Sequence, residues 1–240
     1  LRPHYSEKIV YLPHTYQVND RKKDIAANRH TRSTQGLPAD AFVFCCFNNS
    51  YKILPETFAG WMRILKSVPG SVLWLLEDNP GATRNLRGEA QQQGVAPDRL
   101  LFAARMPMAE HLGRLGLADL ALDTFPYNAH TTTSDALWAG VPVVTYCGES
   151  FASRVAASLL TAIGLADLVS YSQDQFESLA IHLAVNREKL DSIRTRLVAN
   201  REREPLFDTP KFTRHIEEAY RRIFERYCLG LAPEHIHIAA

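Results

Sequence analysis

From residue 41 the chain settles into a regular alternation of two patterns. Residues 41–47 run Ala-Phe-Val-Phe-Cys-Cys-Phe without a polar interruption, which predicts a strand covered on both faces of a parallel sheet. Pro55 then opens a stretch in which Phe58, Trp61, Met62 and Leu65 recur at helical spacing, the signature of an amphipathic helix packed on that sheet. The pair of patterns repeats. Strands are predicted over 71–76, 100–104, 120–123, 143–146 and 168–170, and helices over 84–93, 108–115, 132–139 and 153–163. Gly94 and Gly140 stop two of these helices, and Ser153 is the expected N-cap of the last. Ser172 with Gln175 reads as a capping box for a further helix. A final helix spans 209–227, and its stripe of Phe212, Ile216, Tyr220, Ile223 and Tyr227 reads as core packing. Strands and helices alternating at this spacing imply βαβ units, hence an α/β fold with a parallel sheet.

The first 40 residues do not follow this rhythm. A short apolar segment over 8–12 is closed by Pro13-His14. Residues 20–40 are polar and basic (Arg21, Lys22, Lys23, Arg29, Arg32) and end at Gly36-Leu37-Pro38. They predict a linker with one helical turn and solvated charges.

Composition narrows the picture slightly. The 240 residues are 46% hydrophobic and 22% charged with a net charge of +1, so charge offers no argument for nucleic acid or a membrane surface. No run approaches the roughly 18 apolar residues of a membrane span. Cys45, Cys46, Cys147 and Cys228 lack disulfide or zinc spacing and read as buried thiols of a reducing, cytoplasmic compartment. The tail motif His235-x-His237 is a weak metal signal. The absence of a starting Met suggests a piece of a longer chain.

Ligands of such sheets bind at the carboxyl ends of the strands, which directs attention to four loops. After the strand at 120–123, His130-Thr131-Thr132-Thr133-Ser134-Asp135 opens a helix. Hydroxyls and N–H groups there form either ordinary caps or a phosphate cradle, with Asp135 one turn in to hold a sugar hydroxyl. After the first strong strand, Lys52 either sits on the surface or reaches across the strand ends to neutralise a leaving diphosphate; Tyr51 packs under its loop. After 100–104, His111 and Arg114 share a helix face, suited to a nucleobase or simply half-exposed. The Gly148-Glu149-Ser150 loop contacts a sugar or only caps its helix. D-x-D, G-x-G-x-x-G, P-loop and G-x-S-x-G motifs do not occur, which argues against dinucleotide, ATP and serine-hydrolase chemistry.

Taken in order, Phe47-Asn48-Asn49-Ser50-Tyr51-Lys52-Ile53, Val68 to Leu76, Leu122-Asp123-Thr124, His130-Thr131-Thr132, Asp135 to Pro142 and Gly148 to Ser158 resemble the catalytic region of the O-GlcNAc transferase/SPINDLY family. The similarity runs collinearly from about Tyr5 to Tyr227. It implies a GT-B glycosyltransferase. Residues 41–205 would form the C-terminal, Rossmann-like nucleotide-sugar lobe. Residues 1–40 would end the N-terminal lobe and its linker, and 206–240 would cross back toward that lobe. The implied reaction is inverting transfer of GlcNAc from UDP-GlcNAc to Ser or Thr hydroxyls of a protein or peptide acceptor, releasing UDP, with no metal and no cofactor. The missing D-x-D agrees with this.

By the same resemblance Lys52 and Asn49 contact the diphosphate, and Asn49 stands where relatives often carry Gln. His111, Arg114 and the Met106 backbone hold the uracil, while Met108 replaces a frequent Lys. His130, Thr131 and Thr132 bind phosphate, Asp135 binds the ribose, and His14 is a candidate base. The partners implied are the N-terminal lobe, a tetratricopeptide superhelix in the full-length protein, the acceptor and the UDP-sugar; nucleic acid and membrane are not among them. The chain alone would be inactive, with half its cleft missing. Two alternatives stand beside this reading. Asp123 to Tyr127 and Phe47-Asn48-Asn49 look SPINDLY-like, which implies GDP-fucose, whereas His130 and Asp135 favour UDP-GlcNAc. A non-catalytic nucleotide-sugar-binding module is the other.

Overall fold

The computed structural model describes residues 5–26 and 30–240. Its main sheet has six parallel strands: β2 (Val43–Cys46), β3 (Val72–Leu76), β4 (Leu100–Ala103), β5 (Leu120–Leu122), β6 (Val143–Tyr146) and β7 (Val169–Ser170). Their spatial order is β4-β3-β2-β5-β6-β7, the doubly wound order in which the chain reverses direction between β2 and β5. Phe44 lies opposite Leu120, and Cys45 opposite Ala121, across that switch. All four residues of β2 are buried, which is why the segment reads as a continuous apolar run. The hydrogen-bonded strands are shorter than several of the apolar runs that announce them.

Eight α-helices are present among the described residues: α1 (Pro55–Ser67), α2 (Pro80–Gln92), α3 (Met108–Leu115), α4 (Thr131–Trp138), α5 (Val155–Ala162), α6 (Gln173–Val185), α7 (Arg187–Arg203) and α8 (Thr209–Cys228). Trp61, Met62 and Ile64 of α1 are fully buried against the sheet with Trp74 of β3. α6 begins as its sequence predicts, with Ser172 Oγ accepting from Gln175 N at 3.2 Å. The Gln175 side chain closes the box on Tyr171 N at 3.0 Å, one residue earlier than the usual partner. Gly140 stops α4 at φ 83°, a left-handed conformation that disfavours a side chain.

Several sequence expectations are corrected. α2 starts at Pro80 rather than 84, because Asn79 Oδ1 caps it by accepting from Ala82 N at 2.7 Å. Ser153 does not cap α5. Its hydroxyl turns back to Ser150 O at 3.1 Å, and Arg154 occupies the cap without a side-chain bond. α7 buries only Leu190, Ile193 and Leu197 among many charges, too sparse a stripe to announce the helix. The α8 stripe is not core: Tyr220 is 64% and Tyr227 79% exposed, and Ala219 is the buried residue of this helix. Cys45 and Cys46 are buried, whereas Cys147 is half-buried and Cys228 exposed. Tyr51 is exposed as well, not packed under its loop.

The amino-terminal segment is strapped onto the sheet domain. β1 (Val10–Tyr11) pairs in parallel with β8 (Ile236–His237). Thr209 Oγ1 donates to Asn19 O at 2.8 Å, and Trp138 Nε1 to Lys23 O at 3.0 Å. Ala26 N donates to Ala109 O at 2.9 Å, and Ala26 O stands where a side chain on Gly113 would have to go. Gly113 therefore permits the linker to cross directly over α3. Two basic residues of this segment are paired rather than solvated. Arg32 Nη2 reaches the buried Asp119 at 2.7 Å, and Lys23 Nζ reaches Asp135 at 2.6 Å. Asp119 also accepts from Val43 N at 2.8 Å, so one carboxylate ties the linker to β2. Arg29 lies outside the described residues.

Candidate functional site

The loops that leave β2, β4 and β5 meet at the switch point, and with Tyr16 and Gln17 of the amino-terminal segment they enclose a cleft of about 600 Å³. Its framework is a set of hydrogen bonds between loops. Asn48 Nδ2 donates to Thr124 Oγ1 at 2.8 Å, joining the β2 loop to the β5 loop. Ser50 N donates to Asp78 Oδ2 at 2.7 Å, joining it to the loop after β3. A single 3-10 turn, Ser50–Lys52, therefore presents Lys52 from a segment fixed on two sides.

The Lys52 ammonium donates to Asn128 O at 3.0 Å and lies 3.9 Å from the centre of the Tyr127 ring. Burial lowers its pKa; Asp123 and the Cys46 thiol oppose the shift. Asp123 is wholly buried behind the loop. Its carboxylate accepts from Ala129 N at 2.6 Å, Thr124 N at 2.7 Å and Thr145 Oγ1 at 2.7 Å. Burial pushes it up to about 7 in spite of those three donors and the Lys52 charge. Asp123 thus sets the path of the 124–129 loop, which carries the carbonyl that holds Lys52.

His130 occupies the N-cap of α4 without a side-chain cap bond. Its Nδ1 faces Tyr16 Oη at 3.4 Å, and its ring packs against Tyr127 and Phe151. Burial lowers its pKa, the Ala152 carbonyl opposes that and Lys52 adds to it, so the ring is neutral near pH 7 and adds no charge of its own. Thr131 and Thr132 line the cleft, and the first-turn N–H groups of α4 are not capped by His130. Such a helix start attracts an anion. Thr133 is buried and bonds back to Ala129 O at 3.1 Å.

The residues singled out from sequence separate into three groups. Asn49, Lys52, His130, Thr131 and Thr132 line one cleft. His111 and Arg114 sit beside it: the His111 ring lies edge-on to the cleft residue Phe47 at 4.9 Å, and Arg114 is 1% exposed beneath. Arg114 Nε donates to His111 Nδ1 at 3.1 Å. Since that nitrogen accepts, the neutral ring carries its proton on Nε2 and is a donor there. Burial, then the Arg114 charge, drives His111 down to about 4; burial alone takes Arg114 to about 10. Met106 is half-buried in the loop between β4 and α3.

The remaining two stand apart. Asp135 is buried with one oxygen taken by Lys23. His14 lies in a neighbouring depression of about 300 Å³ that shares Tyr16 with the main cleft. Its pKa is lowered by burial, then by Lys211 and His215, with Glu204 opposing, and its Nε2 has no hydrogen-bond partner among the described residues. Of the cleft residues, sequence reasoning missed Tyr16, Gln17, Tyr127 and Arg105. Arg105 Nη2 donates to Asn49 Oδ1 at 2.6 Å. These residues fall in irregular segments without periodicity, and only the fold brings them together.

His111 makes a measurable prediction. Its folded pKa lies below the 6.5 of the free side chain, so the unfolded chain binds more protons between about pH 6.5 and 4. Stability is complete above that window and falls as pH drops through it, by at most about 3 kcal/mol. Urea unfolding across the window should show this loss in the wild type and a smaller one in His111→Gln.

Among the described residues no helix is long and apolar enough to cross a membrane. No group of three or more His, Cys, Asp or Glu residues there could hold a metal ion. His235 instead accepts from Ile9 N at 3.0 Å, and His237 stacks on Tyr11.

Comparison with known proteins agrees with this architecture. The probable UDP-N-acetylglucosamine–peptide N-acetylglucosaminyltransferase SEC of Arabidopsis thaliana is 42% identical over 98% of this chain. The UDP-N-acetylglucosamine–peptide N-acetylglucosaminyltransferase of Caenorhabditis elegans is 38% identical over 86% of it. This chain spans 25% of the first relative and 18% of the second. The structure of a Thermobaculum terrenum O-GlcNAc transferase carrying a K341M substitution superposes with a TM-score of 0.76 at 37% identity, covering 81% of this chain and 38% of that one. The α/β fold is of the GT-B type. With the profile of glycosyl transferase family 41 matching residues 24–216, the chain belongs to that family.

Proposed function

We propose that this chain supplies the UDP-binding half of an inverting transferase that moves GlcNAc from UDP-GlcNAc to Ser or Thr hydroxyls of proteins. The observation that carries the reading is the cleft itself. Two cationic side chains, Lys52 and Arg105, line it beside the uncapped start of α4, and no carboxylate lines it among the described residues. A nucleoside diphosphate complements that arrangement. In this reading the acceptor oxygen attacks the anomeric carbon from the face opposite the leaving group, and the bond to the diphosphate oxygen breaks with its electron pair going to UDP. Lys52 neutralises the charge that develops there. Asn49, His130 and the Thr131 and Thr132 N–H groups hold the phosphates, and these groups serve in place of a metal ion.

His111 offers its Nε2–H to a uracil carbonyl, with Arg114 fixing the ring from behind rather than touching the base. Met106 lends its backbone to the base edge. Asp135 offers its second oxygen to the ribose while Lys23 holds the first. His14, neutral near pH 7, takes the acceptor proton from the neighbouring depression. The remainder of the cleft belongs to an N-terminal lobe of the same protein, ended by residues 1–40. Residues 206–240 return toward that lobe, and the isolated chain does not turn over. The protein acts in the cytoplasm, and a tetratricopeptide superhelix in the full-length protein contributes to acceptor choice.

Full-length protein given UDP-GlcNAc or GDP-fucose with a pool of Ser- and Thr-containing peptides should add 203 Da per site, about the mass of one GlcNAc residue, from the first donor only. UDP should also raise the thermal midpoint more than GDP at equal concentration. Fucose transfer would move the reading to the SPINDLY-type alternative. UDP binding without transfer or donor hydrolysis would make the domain a binding module.

A further inference from the structure

Arg105 has no role in the reading from sequence, yet it is the second cation in the cleft. It arrives from the loop after β4, whereas Lys52 arrives from the loop after β2. Both are referred to one short segment. Asn49 precedes the turn that ends on Lys52, and Asn49 Oδ1 accepts the Arg105 guanidinium at 2.6 Å. The partner is thus a neutral amide. No carboxylate among the described residues pairs with Arg105. A guanidinium has five N–H donors in a planar fork, and one bond to Asn49 leaves the others unspent. Two cations brought to one turn, neither in an ion pair with a carboxylate among the described residues, favour an anion with more than one negative charge and several acceptor oxygens.

We propose that Arg105, steered by Asn49, is a second diphosphate-binding arm that sets affinity for the nucleotide moiety, while Lys52 acts on the breaking bond. The inference rests on the UDP reading above and deepens it. The diphosphate is present in donor and product alike, and the guanidinium fork grips oxygens common to both. Arg105 therefore contributes uniform binding, which appears in KM and in product affinity rather than in kcat.

Full-length wild type, Arg105→Met and Arg105→Lys should be titrated with UDP, uridine and inorganic pyrophosphate, and assayed for kcat and KM. Arg105→Met should weaken UDP binding about ten- to hundredfold, the range for loss of a charge-assisted contact. Uridine binding should be unchanged, KM should rise in parallel and kcat should stay within about twofold. Arg105→Lys, which keeps the charge and loses the fork, should fall between. Unchanged UDP affinity in Arg105→Met, or an equal loss for uridine, overturns the assignment. A loss confined to kcat overturns it too. Pyrophosphate separates the two levels of the account. If the wild type binds pyrophosphate in an Arg105-dependent way but does not bind UDP, the donor assignment falls and the Arg105 arm stands.

Discussion

Lys52→Ala in the full-length protein should lower kcat by about 100- to 1,000-fold while changing affinity for the intact UDP-sugar far less, because the extra negative charge develops only as the bond breaks. This is the range seen when a single preorganised donor to developing charge is removed. Lys52 ends a turn anchored to the loops after β3 and β5, and its ammonium is held over the Tyr127 ring by Asn128 O. A side chain so fixed needs little reorganisation when a leaving group becomes charged. Half-burial also matters. It weakens competition from water and disfavours the free ammonium, so added negative charge on a bound diphosphate is strongly stabilised. Lys52→Arg should not restore the rate, since the larger fork does not fit over Tyr127 in the same way. Rapid-quench measurement of single turnovers over a range of donor concentrations separates the rate of bond breaking from donor affinity. An equal loss in both would make Lys52 a binding residue only.

Asp123→Ala should have the largest effect on stability, about 3–5 kcal/mol by urea unfolding. Three donors converge on this carboxylate, from Thr124 N, Ala129 N and Thr145 Oγ1. Alanine would leave all three buried without an acceptor. Asp123→Asn is the more informative substitution, because the amide retains the volume and one acceptor oxygen. Its expected cost is about 1–3 kcal/mol. Asp123 also raises the pKa of Lys52 against the effect of burial. Removing the charge should therefore shift the alkaline limb of the kcat profile to lower pH, because Lys52 then loses its proton sooner. A purely structural carboxylate would leave that limb in place.

How far the sequence discloses this site can be judged from individual residues. The strand runs and the stops at Gly94 and Gly140 follow from local rules, because burial on both faces of a parallel strand and a left-handed helix end each leave a strong composition signal. The α4 start is legible for a different reason, the run of hydroxyl residues Thr131 to Ser134 directly after an apolar strand and turn. The pairing of β1 with β8 was not, since two-residue strands more than 200 positions apart carry no periodicity. The α8 stripe misled because apolar spacing announces a face and does not say what covers it. Arg114 shows a different gap. Its spacing from His111 indicates a shared face, but only packing reveals that the guanidinium is buried beneath the imidazole and fixes its tautomer. Lys23 reads as a solvated linker residue until a buried carboxylate appears opposite it, and Arg105 reads as an ordinary loop residue until the fold sets it against Asn49 in the cleft.

In the proposed function the cleft between the β2 and β5 loops binds the diphosphate of a UDP-sugar through cationic side chains and helix N–H groups. Its most direct test is calorimetric titration of the full-length protein with UDP in the presence of EDTA, repeated with the Lys52→Ala/Arg105→Met double variant. One UDP should bind per catalytic domain, unaffected by the chelator, and with an affinity reduced at least about tenfold in the double variant. No binding by the wild type, binding abolished by EDTA, or equal affinity in the double variant would contradict it.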